Sequence, residues 1–206
     1  MHAQPILRAL RPKQWTKNAV VLAALVFAMG DSTQALGSSF LIQALIRALA
    51  ATLLFCMASS AIYLMNDLRD VELDRAHPVK RLRPLAAGQI QPGTARALSL
   101  VLLALALLGA TLLDLDFLLV LAGYVALQVA YTFGLKRIAL LDIFVIATGF
   151  VLRALAGGVV IHVPISPWLL ICTLLLALFL ALCKRRHELV AMTGADGVTR
   201  PSLRQY

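Results

Sequence analysis

The sequence predicts an all-α protein: a polytopic transmembrane helix bundle with six spans and both termini cytoplasmic. Three observations predict it. First, 61% of the 206 residues are hydrophobic and the mean hydropathy is +0.86, far above the roughly 45–50% apolar content of soluble domains. Second, apolar runs approaching the ~20 residues that cross a hydrocarbon core recur along the chain. Third, connections rich in Lys and Arg alternate with connections that have none, which is the positive-inside pattern.

In chain order the runs are Lys17 to Met29 with its flanks, Phe40 to Met65, Thr94 to Leu113, Phe117 to Leu135, Ala139 to Ile161, and Pro167 to Cys183. The first is the weakest, because its apolar core covers only Ala19 to Met29. A basic stretch ahead of a short apolar core also fits a secretory signal. The alternation of the later loops needs this run as a helix, and Trp15 just before it has the character of an interface anchor. Residues 66–93 form the longest connection, punctuated by Pro78, Pro84, Gly88, Pro92 and Gly93, which predicts a short helix and a turn rather than a domain. Thr94 is placed to cap the third run. Cys56, Cys172 and Cys183 lie in or at the ends of runs without metal-ligand spacing, and read as packing residues.

The net charge of +9 would suit nucleic acid, but its distribution excludes that class. Of the 19 Lys and Arg residues only Arg47 and Arg153 lie deep inside runs, and residues 30–39, 114–116 and 162–166 carry none. Basicity here is mostly topology. The expectation is a multi-pass protein of the inner (plasma) membrane, among membrane lipids, with its polar site facing the cytoplasm.

That site is predicted in residues 66–93. Asp67, Asp70, Glu72 and Asp74 follow Asn66 within nine residues, and His77, Lys80, Arg81 and Arg83 come next. If the second helix continues past its apolar run, Asp67, Asp70 and Asp74 stand at i, i+3 and i+7 and share a face with Asn66. Oxygen donors converging this way suit Mg2+, with Asn66, Asp67, Asp70 and Asp74 as ligands. Carboxylates for a metal followed by cations for phosphate oxygens are the parts of a metal-diphosphate site. Glu72 points to the other side. His77 caps the turn before Pro78 or touches phosphate, and both readings stand.

The pattern N-D-x-x-D-x-x-x-D at Asn66 resembles the first aspartate-rich motif of the UbiA superfamily of intramembrane prenyltransferases. The continuation Asp74-Arg75-Ala76-His77-Pro78, with Lys80, Arg83-Pro84 and Ala86-Ala87-Gly88, is similar to its decaprenyl-phosphate phosphoribosyltransferase branch. Leu10 to Asn18, Tyr131 to Lys136, Arg153 to Gly158, Pro164 to Trp168 and Lys184 to Leu189 resemble that branch in the same order.

The resemblance implies one UbiA-like transmembrane domain over 1–206, with 66–93 as its cytoplasmic active-site loop. The family usually has nine helices, so the last three are expected to be lacking. The implied reaction moves 5-phosphoribose from phosphoribosyl pyrophosphate to a polyprenyl phosphate, for cell-wall arabinan precursors. Mg2+ is the implied cofactor. Asp67, Asp70 and Asp74 would be catalytic. Lys80 and Arg83 would clamp phosphates, Tyr131 and Lys136 would touch substrate, and Lys184, Arg185 and Glu188 would form the second phosphate-binding end. Most of the superfamily has a second aspartate motif there, whereas this chain has Lys184-Arg185-Arg186. That departure disfavours the alternative of prenyl transfer from a prenyl diphosphate to an aromatic acceptor. A non-catalytic membrane protein is the third reading. Oligomeric state is left open, a homo-oligomer included.

Asp142 and Arg153 are eleven residues apart in the fifth run, close to a whole number of helical turns, so they project from one stripe toward an interior cavity. Asp142 is a candidate for the ribose or for a lysine partner, and Arg153 for substrate or a backbone carbonyl. Arg47 is expected to snorkel to the outer surface. Gly123, Gly157 and Gly158 are expected to permit close helix packing.

Overall fold

The computed structural model describes residues 3–30, 37–138 and 140–192, with side chains from residue 4 to residue 187. The helices are α1 (Ala3–Leu10), α2 (Ala23–Gly30), α3 (Ser38–Arg69), α4 (Val71–Ala76), α5 (Pro92–Leu113), α6 (Leu115–Phe133), α7 (Leu141–Val160) and α8 (Pro167–Met192). A 3-10 segment, Pro12–Leu22, leads into α2, and short 3-10 turns occupy Lys80–Leu82 and Leu135–Arg137. Among the described residues α3, α5, α6, α7 and α8 are long and apolar enough to cross a membrane. Their outer faces carry exposed Leu100, Leu119, Phe144 and Phe179, a surface suited to lipid because every backbone group inside a helix is already paired. The chain is a multi-pass membrane protein.

The expected first span has a different backbone. Pro12 opens a 3-10 helix of 11 residues that passes into α2 at Ala23 (φ −58°, ψ −43°) without leaving helical geometry. At 2.0 Å per residue for 3-10 and 1.5 Å for α, the path is about 34 Å long. A 3-10 helix repeats every three residues, so Trp15, Asn18 and Val21 form one stripe. Asn18 and Val21 are fully buried, and Trp15 Nε1 donates to Ser60 Oγ on α3 at 3.0 Å. Trp15 is therefore a packing contact on α3, where an interface anchor was expected.

Small residues set the approach of the long helices. Ala44, Ala48 and Ala51 of α3 and Ala106 and Ala110 of α5 are buried, and Ser99 Oγ donates to the Ala61 carbonyl at 2.8 Å. Phe55 meets Phe117 and Tyr124 of α6 at centroid distances of 6.0 and 5.2 Å. A Cβ on Gly157 would overlap the Val21 carbonyl oxygen, and one on Gly158 would strike the Ile165 side chain. Both glycines therefore permit close packing as expected, whereas Gly123 faces open space.

Two local expectations are corrected. Pro92 starts α5, with Gln91 as the capping residue, because proline suits the first helical position; Thr94 is inside the helix. Arg47 points toward the Lys- and Arg-free connections expected on the outer side, but acceptors of the bundle hold it there instead of lipid headgroups. Its Nε donates to the Val160 carbonyl at 2.6 Å and its Nη2 to the Leu113 carbonyl and Asp114 Oδ2, both at 3.2 Å. It ties α3 to the α5–α6 joint and to the end of α7. Three acceptors close at hand hold a guanidinium better than a stretched rotamer would.

Candidate functional site

Local structure at the aspartate cluster follows from a helix break. α3 continues four residues beyond its apolar run, carrying Asn66 and Asp67, and stops at Asp70 (φ −96°, ψ 9°), and α4 then carries Asp74. The loop beyond folds back on itself: the Ala87 amide donates to the Arg83 carbonyl and the Gln89 amide to the Pro84 carbonyl, both at 2.8 Å. Buried Leu85 and Ile90 pack with Leu64 of α3 and Ala9 of α1. This small core sets Arg83 against the acids.

The expected single face of four oxygen ligands resolves into two neighbouring pairs. Arg83 Nη1 lies 3.1 Å from Asp67 Oδ1 and 2.5 Å from Asp74 Oδ2. Arg11 Nη2 lies 2.5 Å from Asp67 Oδ1 and its guanidinium stacks 5.0 Å above the Tyr63 ring. Lys136 Nζ, with its side chain 11% exposed, reaches Asp70 Oδ2 at 2.6 Å and Oδ1 at 2.8 Å, and Asn66 Oδ1 at 3.2 Å. Among the described residues no group of three His, Cys, Asp or Glu side chains forms a metal cage. The donor set itself is all oxygen, three carboxylates and an amide, which is what a hard divalent cation takes. Asp67 and Asp74 are buried and Asp70 is half-buried, and a carboxylate so placed is satisfied by the cation that holds it.

His77 caps its turn. Its Nδ1 accepts the Val79 and Lys80 amides at 3.2 and 3.3 Å, which requires an unprotonated Nδ1. Burial, with the Lys80 and Arg83 charges adding to it against Asp74, pushes this imidazole below its ordinary pKa. Exposed Glu72 pairs with Arg75 at 2.8 Å.

One turn back along α3 from Asp67, Tyr63 lines a cavity of about 350 Å³. Tyr124, Tyr131 and the cations Lys17, Arg153, Lys184 and Arg185 line it too. Tyr131, Arg153, Lys184 and Arg185 thus meet at one cavity, although they come from three helices. Asp142 is fully buried and pairs with an arginine, Arg185 Nη2 at 2.7 Å, behind the described lining of the cavity. A carboxylate without water finds its cation within the bundle. Arg153 donates to the Gly149 carbonyl as one reading expected, and also to Asn18 Oδ1 and the Tyr124 hydroxyl, each at 2.8 Å. Asn18 Nδ2 in turn donates to Cys56 Sγ and Ser59 Oγ at 3.2 Å. The Glu188 side chain lies outside the described residues. Sequence reasoning gave no site role to Arg11, Lys17, Asn18 or Tyr63. The three-residue spacing of Trp15, Asn18 and Val21 was the available signal for Asn18.

Comparison with known proteins agrees with this architecture. The profile of the UbiA prenyltransferase family matches residues 12–187. A decaprenyl-phosphate phosphoribosyltransferase of Mycolicibacterium smegmatis is 41% identical over 98% of this chain and 62% of its own length. The Corynebacterium glutamicum protein of that name is 41% identical over 99% of this chain and 60% of its own. The chain thus spans about three fifths of the length of these curated relatives. Among solved structures, a UbiA homolog from Archaeoglobus fulgidus bound to GPP and Mg2+ superposes with a TM-score of 0.67 at 23% identity, covering 84% of this chain and 60% of its own. A second, from work on digeranylgeranylglyceryl phosphate synthase in membranes, gives 0.74 at 19% identity over 99% of this chain and 69% of its own. The chain belongs to the UbiA prenyltransferase family.

Proposed function

We propose that the chain is the membrane-embedded transferase part of an enzyme that moves 5-phosphoribose from phosphoribosyl pyrophosphate to a polyprenyl phosphate. The observation that carries this reading is the interlocked cluster of Asp67, Asp70 and Asp74 with Arg83, Arg11 and Lys136. The likeness of nearly all of this chain to part of two phosphoribosyltransferases supports it. So does the basic Lys184-Arg185-Arg186 end, which suits a substrate rich in phosphate.

On this reading Asn66, Asp67, Asp70 and Asp74 hold Mg2+, the ion named with a UbiA homolog of known structure. When bound, the ion neutralises the pyrophosphate leaving group. Arg83, Lys136 and Lys80 take phosphate oxygens and supply the rest of that neutralisation. An oxygen of the lipid phosphate bonds to the anomeric carbon as the carbon–oxygen bond to pyrophosphate breaks, the electron pair leaving with pyrophosphate. The acceptor is already an anion, so the chain needs no general base. The domain is a single membrane unit in the plasma membrane. Its 66–93 loop faces the cytoplasm, because the Lys- and Arg-bearing connections share that side.

The test supplies membranes containing the chain with Mg2+, labelled phosphoribosyl pyrophosphate and a polyprenyl phosphate. Metal-dependent transfer of label to the lipid phase, abolished in Asp67→Asn, is the expected result. Transfer from a prenyl diphosphate to an aromatic acid, with none from phosphoribosyl pyrophosphate, would replace this reaction with the prenyl one.

A further inference from the structure

The cavity and the aspartate cluster differ in charge. Every cation named at the cluster meets a carboxylate. Among the described residues lining the cavity there is no carboxylate, and four are cations. Arg185 is balanced by Asp142 behind it. Arg153 has no carboxylate partner among the described residues: it is 4% exposed, and its bonds go to the neutral acceptors Asn18, Gly149 and Tyr124. A cation buried in a membrane protein without a counter-ion belongs to a ligand or ion path more often than to the scaffold. Lys17, one residue before Asn18, has no ion pair among the described residues, and Lys184, Arg153 and Arg11 surround it with like charge.

We propose that this cavity is a second anion subsite, in which Lys17 and Arg153 receive the phosphate of a lipid phosphate ester. The assignment rests on the phosphoribosyl-transfer reading and names the residues that hold its acceptor. The Arg153 fork is pre-set by Asn18 and Gly149 and offers planar donors to phosphate oxygens. Lys17 adds a point charge from the facing 3-10 segment. The rest of the lining includes Ile62, Ile146, Phe150 and Leu180, and Leu180 is 55% exposed on α8. An anionic head against the cations with an apolar tail leaving past Phe150 and Leu180 satisfies both halves of the lining. The 5-phosphate of the donor shares the head chemistry but has no apolar tail for these side chains.

The experiment measures binding to the full chain in nanodiscs of neutral lipid. Farnesyl phosphate, uncharged farnesol and phosphoribosyl pyrophosphate with Mg2+ are the three probes. Lys17→Gln removes a charge with no bonding partner among the described residues, and Arg153→Lys keeps the charge but loses the fork. One charge-assisted contact is worth about tenfold in affinity. The expected result is a loss of that size for farnesyl phosphate in both variants, with farnesol and phosphoribosyl pyrophosphate unchanged. Equal farnesyl phosphate binding by wild type and Lys17→Gln overturns the proposal. A loss confined to phosphoribosyl pyrophosphate also overturns it, and reassigns the cations to the donor's 5-phosphate. Lys17-dependent binding of farnesyl phosphate in a chain that transfers no phosphoribose would retain the lipid-phosphate subsite while removing the reaction it was read with.

Discussion

Replacing Arg83 with glutamine removes the guanidinium shared by Asp67 and Asp74. An exposed ion pair is worth about 0.2–1 kcal/mol, and stripping one partner from a buried pair costs about 3–5 kcal/mol. Arg83 keeps 28% of its side chain in solvent while both carboxylates keep 5%, so water compensates part of the loss. Asp67 retains Arg11, and the remaining burden falls on Asp74. The expected cost is about 2 kcal/mol, placed on the closing of the 66–93 loop rather than on the whole bundle. At about 1.36 kcal/mol per tenfold, that is about thirtyfold in the opening constant. Hydrogen exchange of the loop in nanodiscs reads this directly through the amides of Ala87 and Gln89, which bond within it. Asp74→Asn is expected to act similarly, and the double variant to add little, as coupled partners do. Exchange of these amides within about twofold of wild type in Arg83→Gln would refute the claim that this ion pair closes the loop.

Other substitutions test other parts of the account. Gly157→Ala should cost about 1–3 kcal/mol or more by pressing on the Val21 backbone, which cannot give way as a side chain can. Gly123→Ala, facing open space, should be near neutral, and thermal unfolding in nanodiscs compares them. His77 favours its neutral form in the fold, so its contribution is fully present above its ordinary pKa. That contribution is lost as pH falls below that value through the depressed one. Exchange of the Val79 and Lys80 amides, corrected for intrinsic rates, should accelerate on acidification in the wild type but show no such step in His77→Gln. Arg47→Met should destabilise by about 1.5–3 kcal/mol, the worth of charged hydrogen bonds. A snorkelling arginine would make the change nearly silent, and unfolding temperature separates the two.

The long helices were legible because lipid imposes a simple rule on them. Apolar runs and loop charge identified α3, α5, α6, α7 and α8 to within a few residues, except where α8 extends well past Cys183. The acidic loop was equally legible, since ten ionisable residues in one stretch beside a membrane span have few other uses. What sequence did not carry was pairing across distance. Asn18 and Arg153 are 135 residues apart, and nothing local to either indicates the other. Asp142 lay on the same stripe as Arg153, yet its partner Arg185 comes from α8. Arg47 read as a cation snorkelling to the outer surface because its three acceptors belong to other elements. The single face expected for Asn66, Asp67, Asp70 and Asp74 assumed an unbroken helix, and the break at Asp70 turns one pair toward Lys136 and the other toward Arg83.

The winding of Pro12–Leu22 has a consequence for how this segment tolerates change. With 3.0 residues per turn Trp15, Asn18 and Val21 stand in line. At 3.6 residues per turn each step of three falls about 60° short of a full circle, and the segment shortens by about 5 Å. Rewinding would therefore swing Asn18 away from Arg153 while Trp15 still faced Ser60. Register here is as binding as residue identity. Inserting or deleting one residue between Trp15 and Val21 would do more harm than most substitutions along the same stretch, and a redesign that restored ordinary α geometry would disconnect the cavity's arginine from its amide.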